Sequence, residues 1–456
     1  MQQKIKNILI KAPEYLLYLF VFLLPWQTRW IARDTIVNSA VWEYGRIGVY
    51  GFDVVFIFLV FLIGLGHFDA SHNKVPVLDL SKKFLIFNFK FSNNFKFLNF
   101  KIGKSYLILL GVIFIAINIF VAADKILAIY WWLRIMEGVG LIWLIKKIDY
   151  AKIRLAAAFV LSMLFSAGLG IYQFINAGSG ATKWLGLAWR KAENLGDSVV
   201  EANGERFLRA YGSLPHPNIL AGFLVVALVL WFCIFLQTKN TNSKKQNIFL
   251  SVAGVFLTSG LFFTFSRAAW LAGIMVCAVS GMVWIKQKSF EQYKKIGLAS
   301  VILTAIILAG VYWPLVAVRT SNKTRLEIKS TNERVSGYRE ALKIIEEQSV
   351  WGVGLGNYTK VLAQKNPSSA AWNNQPVHNV FVLAWAELGM VGILLWGFLL
   401  YILWKGRDDL EMKKKWITWG LLGSVFVFLG VFDHYLWTLP AGMLLVFAYF
   451  GSVLKK

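Results

Sequence analysis

The sequence has few charged residues and almost no cysteine. Charged residues make up 16% of the 456 residues, whereas 57% are hydrophobic and 16% are aromatic. With a mean hydropathy of +0.57, the chain is too apolar for a soluble globular domain. Its two cysteines, Cys233 and Cys277, both lie within long apolar runs and have no metal-ligand or redox spacing. We therefore expect them to be small residues of the core.

Acidic residues are also scarce: 24 Asp and Glu stand against 48 Lys and Arg, which gives a net charge of +24. Such a surplus resembles that of nucleic-acid-binding proteins, but the lysines collect in alternate loops between apolar runs. This is the positive-inside pattern of membrane proteins, and it predicts that both termini are cytoplasmic. The opposite loops are instead rich in arginine, whose planar guanidinium group binds phosphate or carboxylate in a bidentate manner. Ordinary solvation and pairing with the acidic residues of the same loops explain that enrichment equally well.

Twelve apolar runs are long enough to cross a bilayer as helices, which takes about 17 to 25 residues. They predict an all-α polytopic membrane protein with about 12 transmembrane helices. The predicted spans are Glu14 to Trp30, Tyr50 to Gly66, Tyr106 to Ala122, Leu127 to Ile145, Leu155 to Asn176, Asn218 to Leu236, Ile248 to Phe263, Ala268 to Ile285, Ile296 to Val316, Asn379 to Trp404, Trp416 to Phe432 and Leu436 to Leu454. No small-residue cleavage site follows the first run, so we expect it to be retained as a span.

The sequence divides into three parts. Residues 1–316 carry nine spans, a cytoplasmic segment at 81–105 and an external loop at 177–215. Phenylalanine alternates with polar residues in segment 81–105, and this period of two predicts a small hairpin at the membrane surface. Residues 317–377 form the longest polar stretch and are predicted to be a helical external domain between spans 9 and 10. Residues 378–456 carry the last three spans.

Two local motifs organise the polar stretch. Ser330-Thr331-Asn332-Glu333 has the pattern of a capping box, which predicts that a helix begins there. The glycines Gly352, Gly354 and Gly356 follow that helix. They resemble a nucleotide-binding loop only superficially, because their spacing differs and no strand precedes them. They predict a glycine-dependent turn packed against the helix.

Three residues could carry chemistry at the outer membrane boundary: Arg209, Arg267 and His378. Each precedes a predicted span on its outer side, where free backbone N–H groups and the helix dipole favour an anion. For any one of them, a snorkelling arginine or a helix-end residue is the simpler explanation. The convergence of all three is less easily explained in that way. His216 could assist near Arg209, although capping and packing explain it equally well.

A few further polar residues lie within or beside the spans. Arg134 and Glu137 are three positions apart in the fourth span, so we expect them to pair on one helix face. An intramembrane pair of this kind serves either function or structure. Asp53, Asp433 and His434 lie at span boundaries, where we expect them to be partners of loops or helix ends.

The order of these motifs resembles that of the O-antigen ligase and polymerase superfamily of bacterial membrane glycosyltransferases. The resemblance covers roughly the second half of the chain. The segments that carry it are Arg209 to Asn218, Ser266-Arg267, Arg334 ahead of Gly352 to Asn357, His378-Asn379 and Glu387 to Gly392. Ser349-Val350 departs from the pattern, because many members have His-Pro before the glycine stretch. The first four spans carry no matching motif.

The resemblance implies transfer of a glycan from a polyprenyl-pyrophosphate lipid to an acceptor hydroxyl, with no metal, other cofactor or nucleic acid. The site would face the outside or periplasm from the bacterial cytoplasmic (inner) membrane. His378 would be the general base, and Arg209 and Arg267 would stabilise the departing pyrophosphate. Direct attack by the acceptor predicts inversion at the sugar carbon. The residues expected to bind substrate are Arg206, His216, Asn218, Ser266, Arg334, Asn379 and Glu387.

The acceptor stays open at this point. A ligase acting on a lipid acceptor such as lipopolysaccharide is favoured, with a glycan polymerase or a protein O-oligosaccharyltransferase as alternatives. A flippase or transporter of lipid-linked sugars is less favoured, because two six-span halves should show internal repetition and a long cytoplasmic middle loop. A structural scaffold of the envelope is a further alternative. It would leave Arg209, Arg267 and His378 individually replaceable.

Overall fold

The computed structural model is a bundle of α-helices with small β-ribbons at one end. It describes residues 2–38, 40–65, 104–237, 244–286, 292–321, 323–405 and 410–455. The helices are α1 Gln2–Leu23, α2 Gly51–Leu65, α3 Lys104–Val121, α4 Lys125–Lys147, α5 Lys152–Ile175, α6 Pro217–Gln237, α7 Lys244–Phe263, α8 Arg267–Lys286, α9 Gln292–Val311, α10 Trp313–Ser321, α11 Arg325–Glu347, α12 Tyr358–Lys365, α13 Val380–Leu388, α14 Met390–Lys405, α15 Leu410–Phe432, α16 Tyr435–Thr438 and α17 Pro440–Leu454. Apart from the first two residues of α3, the hairpin predicted at 81–105 lies outside the described residues.

Within the described residues, five helices are long and apolar enough to cross a membrane. They are α4, α5, α6, α7 from Lys245 and α9 from Lys294, and shorter apolar segments lie in α2, α3, α8, α15 and α17. Helix α6 is apolar on all sides and packs against α5, α7, α8 and α15, so it forms the centre of the bundle. The structure therefore confirms a mostly helical, multi-pass membrane protein. The count of twelve spans and their direction stay predictions.

Four predicted spans differ from the helices that the chain forms. The first was expected to reach Trp30, but α1 ends at Leu23 and Trp30 lies in a strand. The tenth is divided into α13 and α14 at Gly389, whose φ is 64°. The ninth is divided where α10 begins with Pro314 in its first turn. The last is divided where α17 begins with Pro440. Hydropathy follows side chains alone, so it does not register these backbone breaks.

Within the described residues, four two-stranded antiparallel ribbons, which were not predicted from the sequence, occur between the helices of this mostly helical fold. They pair β1 Arg29–Arg33 with β4 Ile47–Tyr50, β2 Ile36–Val37 with β3 Ala40–Val41, β5 Gly178–Ser179 with β6 Arg190–Lys191, and β7 Val199–Ala202 with β8 Glu205–Leu208. Between β7 and β8, Asn203 and Gly204 have φ values of 53° and 82°. An Asn-Gly pair is the preferred two-residue hairpin turn, because both positions require positive φ.

The polar stretch between α9 and α13 is mainly helical, as predicted, but its principal helix begins earlier than the capping box. Helix α11 begins at Arg325, and Ser330 lies within it. Glu327 in its first turn is buried and pairs with Arg319 of α10, and this tertiary contact outweighs the local capping signal. The predicted glycine turn is confirmed. Its three glycines have φ values of 68°, 91° and 72°, and Val353 between them packs in a cluster with residues of α11.

Polar contacts tie the loops to the bundle at both of its ends. Asp124, the N-cap of α4, accepts two hydrogen bonds from Arg33 at 3.1 and 2.6 Å. At the far end of α4, Lys455 donates a hydrogen bond to the carbonyl of Ile148. The predicted pair of Arg134 and Glu137 is confirmed at 2.6 Å. Arg134 also makes a bidentate contact with Asp53, with both bonds at 2.7 Å.

Candidate functional site

The ends of four helices meet at one end of the bundle and position the candidate site. Asn218 lies in the first turn of α6, where Pro217 has the backbone angle that a helix start requires. Arg267 begins α8, and His378 lies two residues before α13. Asp433 directly follows α15. The chain thus brings together residues that are far apart in the sequence.

A chain of hydrogen bonds links Arg209 to Asp433 through Asn218. Arg209 donates from Nη2 to Oδ1 of Asn218 at 2.7 Å and from Nε to the carbonyl of Thr264 at 2.7 Å. Asn218 in turn donates from Nδ2 to Oδ2 of Asp433 at 3.2 Å. Arg209 is only 6% exposed, so its charge lies behind the site and acts on it through Asn218.

Two imidazole groups lie beside Asp433. The rings of His378 and His434 are 5.3 Å apart between centroids, and one ligand atom from each of these three residues lies within 4.8 Å of the others. His434 is held in place, because its Nδ1 hydrogen-bonds to the hydroxyl of Thr438 at 2.8 Å. Neither ring nitrogen of His378 has a hydrogen-bond partner among the described residues. Its lone pair is therefore available to a molecule in the cavity that it lines.

That cavity has a volume of about 590 Å³. His378, His434, Asp433 and Asn218 line it, together with residues of the ribbons, of α4, of the turn before α6 and of the segment before His378. A volume between roughly 300 and 1,000 Å³ is typical of sites for small molecules. We refer to it as the large cavity.

A second, smaller pocket of about 30 Å³ adjoins the large cavity on the other side of Asn218 and Asp433, which line both. Arg267, Arg319 and Arg334 line this pocket, and we call these three residues the arginine cluster. His378 and Arg267, whose convergence was expected from the sequence, therefore line two adjoining cavities.

The arginine cluster carries more positive charge than its neighbours neutralise. Glu327 is 2% exposed and lies 3.5 Å from Arg267, and it forms an ion pair with Arg319. Arg334 has a buried Nε with no hydrogen-bond partner among the described residues. Glu327 thus contacts two of the three guanidinium groups, and Asp433 also lines the pocket. Such a concentration of forked donors is suited to phosphate oxygens.

Burial keeps the imidazoles of the site neutral. It lowers the pKa of His378, and the positive charge of Arg334 acts in the same direction, whereas Asp433 opposes the shift. Burial also lowers the pKa of His434 to about 4, against the effect of Asp433. Burial works against ionisation of Asp433 as well, but the neighbouring histidines outweigh it and lower the pKa of that carboxyl group. At neutral pH, His378 is therefore a free base beside a carboxylate.

The structure places the other predicted residues in different roles. Ser266 and Arg334 line the small pocket. Asn379 caps α13, because its Oδ1 accepts hydrogen bonds from the N–H groups of the next turn at 2.9 and 3.1 Å. His216 accepts a hydrogen bond at Nδ1 from the N–H of Asn218 at 3.2 Å, and burial lowers its pKa to about 3. It lines the large cavity and also holds the turn before α6.

Two predicted residues lie apart from this constellation. Glu387 is buried and accepts a hydrogen bond from the indole of Trp437 at 2.8 Å, and it lines a separate pocket of about 20 Å³. Arg206, on β8, donates to the carbonyls of Glu193 and Asn194 at 3.1 and 3.4 Å. Neither lines the large cavity or the small pocket.

Several residues of the site were not identified as such from the sequence. Asp433 and His434 were expected to be helix-end partners only, yet they complete the group around His378. Two adjacent polar residues between long apolar runs were the signal that could have identified them. Arg319 and Glu327 carried no comparable signal, because they belong to a loop that contains many charged residues.

By distance alone, His378, Asp433 and His434 could supply three ligands to one metal ion. The same three residues also suit acid–base chemistry. His378 would be the base, Asp433 the carboxylate that stabilises the protonated imidazole, and His434 the neighbour that fixes the spacing of the other two. The expectation that no metal takes part stays a prediction.

Comparison with known proteins gives one family match within the chain. Residues 252–397 match the family model described as O-Antigen ligase. The matched segment runs from α7 to α14 and includes Arg267, Arg334 and His378. No curated protein matches the chain. The match confirms the resemblance predicted from the motifs: residues 252–397 form a domain similar to the O-antigen ligase family, which supports the O-antigen ligase and polymerase superfamily.

Proposed function

We propose that the protein transfers a glycan from a polyprenyl-pyrophosphate lipid to an acceptor hydroxyl at the outer face of a bacterial cytoplasmic membrane. The family match supports a membrane enzyme of the glycan ligase or polymerase kind. The observation that carries the proposal is the position of His378. Its unengaged imidazole lies within 4.8 Å of Asp433, which also lines the pocket of the arginine cluster.

The arginine cluster is suited to the donor. Its excess of positive charge complements a pyrophosphate, which has several oxygens for bidentate contacts. The pocket of about 30 Å³ is close to the space of a single water molecule, so side chains must move to admit the phosphates. Arg267 is best placed to do so, because its side chain is 31% exposed and its contact with Glu327 is 3.5 Å long. In this scheme, phosphate oxygens replace Glu327 as the partner of Arg267.

His378 then acts as the general base. Its free nitrogen takes the proton of the acceptor hydroxyl while that oxygen attacks the anomeric carbon of the donor sugar. The new glycosidic bond forms as the bond between that carbon and the pyrophosphate oxygen breaks. The electron pair of that bond leaves with the lipid pyrophosphate and is stabilised by the arginines. Asp433 stabilises the imidazolium that results.

This order of events inverts the sugar carbon, because the acceptor attacks from the side opposite the leaving group. The adjoining cavities are consistent with that geometry: the base lines one, the arginine cluster lines the other, and Asn218 and Asp433 lie between them. Arg209 supports the arrangement from behind through its hydrogen bond to Asn218. We therefore assign Arg209 a positioning role.

Reconstitution tests the proposal. The full chain is incorporated into liposomes with a polyprenyl-pyrophosphate glycan and a set of lipid, sugar and peptide acceptors, and the glycosylated product is quantified. We expect His378→Ala to lower the transfer rate by about 10²- to 10⁴-fold, the usual contribution of a general base. Asn332→Ala, on an exposed position of α11, serves as the control and should keep the wild-type rate. An undiminished rate in His378→Ala, or retention of the anomeric configuration in the product, contradicts the mechanism.

A further inference from the structure

We propose that the large cavity is the acceptor subsite and that it binds an uncharged sugar. The inference rests on the proposed transfer function and adds to it the chemical class of the acceptor. Three observations carry it: an aromatic surface beside the imidazoles, the neutralised arginines of the cavity wall, and the position of the cavity relative to the arginine cluster.

The aromatic surface is built from two distant segments. Trp372 lies on the short 3-10 turn Ala371–Asn373 and is 70% exposed, although it is one of the largest apolar side chains. Tyr44, between β3 and β4, donates a hydrogen bond to Oε1 of Gln375 at 2.8 Å, and Gln375 donates from Nε2 to the carbonyl of Trp372 at 2.7 Å. The three residues therefore form one connected wall of the large cavity.

This wall extends towards the imidazole of His378. The ring of Tyr44 is 5.9 Å from the ring of His434, and the latter lies 5.3 Å from His378. Exposed aromatic faces bind the C–H faces of sugar rings, and a flanking phenol or amide contacts the hydroxyl groups. A sugar that packs on Trp372 and Tyr44 would thus present one of its hydroxyls towards His378.

The charges of the wall favour an uncharged ligand. Three arginines line the large cavity, and each is paired with a carboxylate. Arg29 contacts Glu43 at 2.6 Å, Arg46 contacts Glu43 and Asp34 at 2.6 and 2.7 Å, and Arg190 contacts Asp197 at 2.6 Å. An acidic sugar would have to compete with these carboxylates. Ion pairs of this kind still offer donors and acceptors to hydroxyl groups.

The arginine cluster gives the contrasting case within the same molecule. There, Glu327 contacts two of the three guanidinium groups, those of Arg267 and Arg319, and the pocket is suited to an anion. The large cavity has about 590 Å³ and compensated charges. The two adjoining cavities therefore differ in the chemistry that they recognise, phosphate on one side and hydroxyl groups on the other, as the two substrates of a glycan transfer require.

A binding experiment tests the subsite without catalysis. Full-length wild-type protein and His378→Ala in nanodiscs are titrated with fluorescently labelled trisaccharides of neutral hexoses, with a trisaccharide of uronic acids, and with a peptide rich in Ser and Thr. We expect a neutral trisaccharide to bind both proteins and the other two probes to bind at least tenfold more weakly. Preferential binding of the acidic trisaccharide or of the peptide, or no binding of any neutral trisaccharide, overturns the inference.

Matched tryptophan variants locate the site. We expect Trp372→Ala to weaken binding of the neutral trisaccharide about tenfold, and Trp372→Phe to restore most of it because an aromatic face is kept. Trp313→Ala is the control, since Trp313 is 61% exposed at the start of α10 and does not line the large cavity. Equal binding by Trp372→Ala and wild type overturns the inference.

Transfer kinetics separate this inference from the proposed function. In the reconstituted system, Trp372→Ala should raise the KM for the sugar acceptor about tenfold and change the KM for the donor less than twofold. If transfer occurs but the acceptor KM does not respond to Trp372, the subsite is wrong and the function stands. If neutral sugars bind at Trp372 but wild-type protein transfers no glycan to any acceptor, the proposed function is wrong and the binding site stands.

Discussion

Asn218 and Asp433 are 215 positions apart in the sequence and are joined by a hydrogen bond of 3.2 Å, where the start of α6 meets the end of α15. Both residues line the large cavity as well as the pocket of the arginine cluster. The amide of Asn218 also accepts a hydrogen bond from buried Arg209. This pair therefore connects the region of the base with the region suited to the donor.

The first prediction concerns that connection. Asn218→Leu keeps the approximate side-chain volume but removes both hydrogen bonds, and it leaves the Nη2 donor of Arg209 without its partner. A hydrogen bond to a charged group contributes about 1.5 to 3 kcal/mol, so we expect kcat for glycan transfer to fall about 10- to 100-fold. The measurement is the initial rate in reconstituted liposomes at saturating donor and acceptor.

Asn332→Leu is the matched control, because Asn332 is exposed on α11. It should keep the wild-type kcat. A fall in both variants would point to a general effect on folding. A normal kcat in Asn218→Leu would show that the contact between Asn218 and Asp433 is dispensable.

Much of the helical framework could be predicted from hydropathy. Eight predicted spans coincide closely with helices, because a run of some 20 apolar residues has few alternatives to a membrane helix. The breaks at Gly389 and before Pro440 were missed. They depend on backbone angles and on tertiary contacts, which leave no mark on an average of side-chain hydropathy.

The candidate site was only partly predictable. His378, Arg267 and Arg334 were identified from motif order, and the structure places all three around Asn218 and Asp433. Arg319 and Asp433 were missed as site residues. Their importance comes from proximity to residues far away in the sequence, and a single sequence does not contain that information.

The pH dependence of transfer is the second prediction. A general base must be deprotonated, so the rate should rise with pH until His378 is neutral and then become constant. Because burial and Arg334 lower the pKa of His378, wild-type activity should persist below the ordinary histidine pKa of 6.5. The measurement is kcat as a function of pH.

Two variants should move this acidic limb in opposite directions. Arg334→Gln removes a positive charge that lowers the pKa of His378, so the limb should move to higher pH. Asp433→Asn removes a negative charge that raises this pKa, so the limb should move to lower pH. Glu333→Gln should act in the same direction as Asp433→Asn. If the limbs of Arg334→Gln and Asp433→Asn move in the same direction, or if neither moves, a group other than His378 controls the rate.

The third prediction concerns the charge balance of the arginine cluster. Glu327→Gln removes the buried carboxylate that pairs with Arg319 and approaches Arg267. Loss of one member of a buried pair costs about 3 to 5 kcal/mol, because the remaining charges are left uncompensated. We expect a lower unfolding temperature, measured by thermal denaturation of the purified protein.

Inorganic pyrophosphate provides the diagnostic step. If the cluster binds phosphate oxygens, pyrophosphate should raise the unfolding temperature of Glu327→Gln more than that of wild type, because it replaces the missing anion. Glu346→Gln is the control, since Glu346 is exposed on α11. Identical responses of all three proteins to pyrophosphate would argue against an anion site at this cluster.

The fourth prediction concerns Gly389, where α13 ends and α14 begins. Its φ of 64° and ψ of −154° fall in a region that is essentially limited to glycine. A Cβ atom there would lie 2.1 Å from the carbonyl oxygen of Val350 and 2.7 Å from the N–H nitrogen of Gly352. Gly389→Ala therefore adds backbone strain and a clash with the turn that holds α13, the helix that follows His378. We expect the free energy of unfolding to fall by at least about 1 to 3 kcal/mol, seen as a lower unfolding temperature.

Gly397→Ala is the matched control: Gly397 lies within α14, and a Cβ atom there meets nothing within 4 Å. It should be neutral or stabilise the protein by about 0.5 to 1 kcal/mol, because alanine favours the helix. Equal unfolding temperatures for the two variants would mean that the close contact of Gly389 with Val350 does not constrain the junction of α13 and α14.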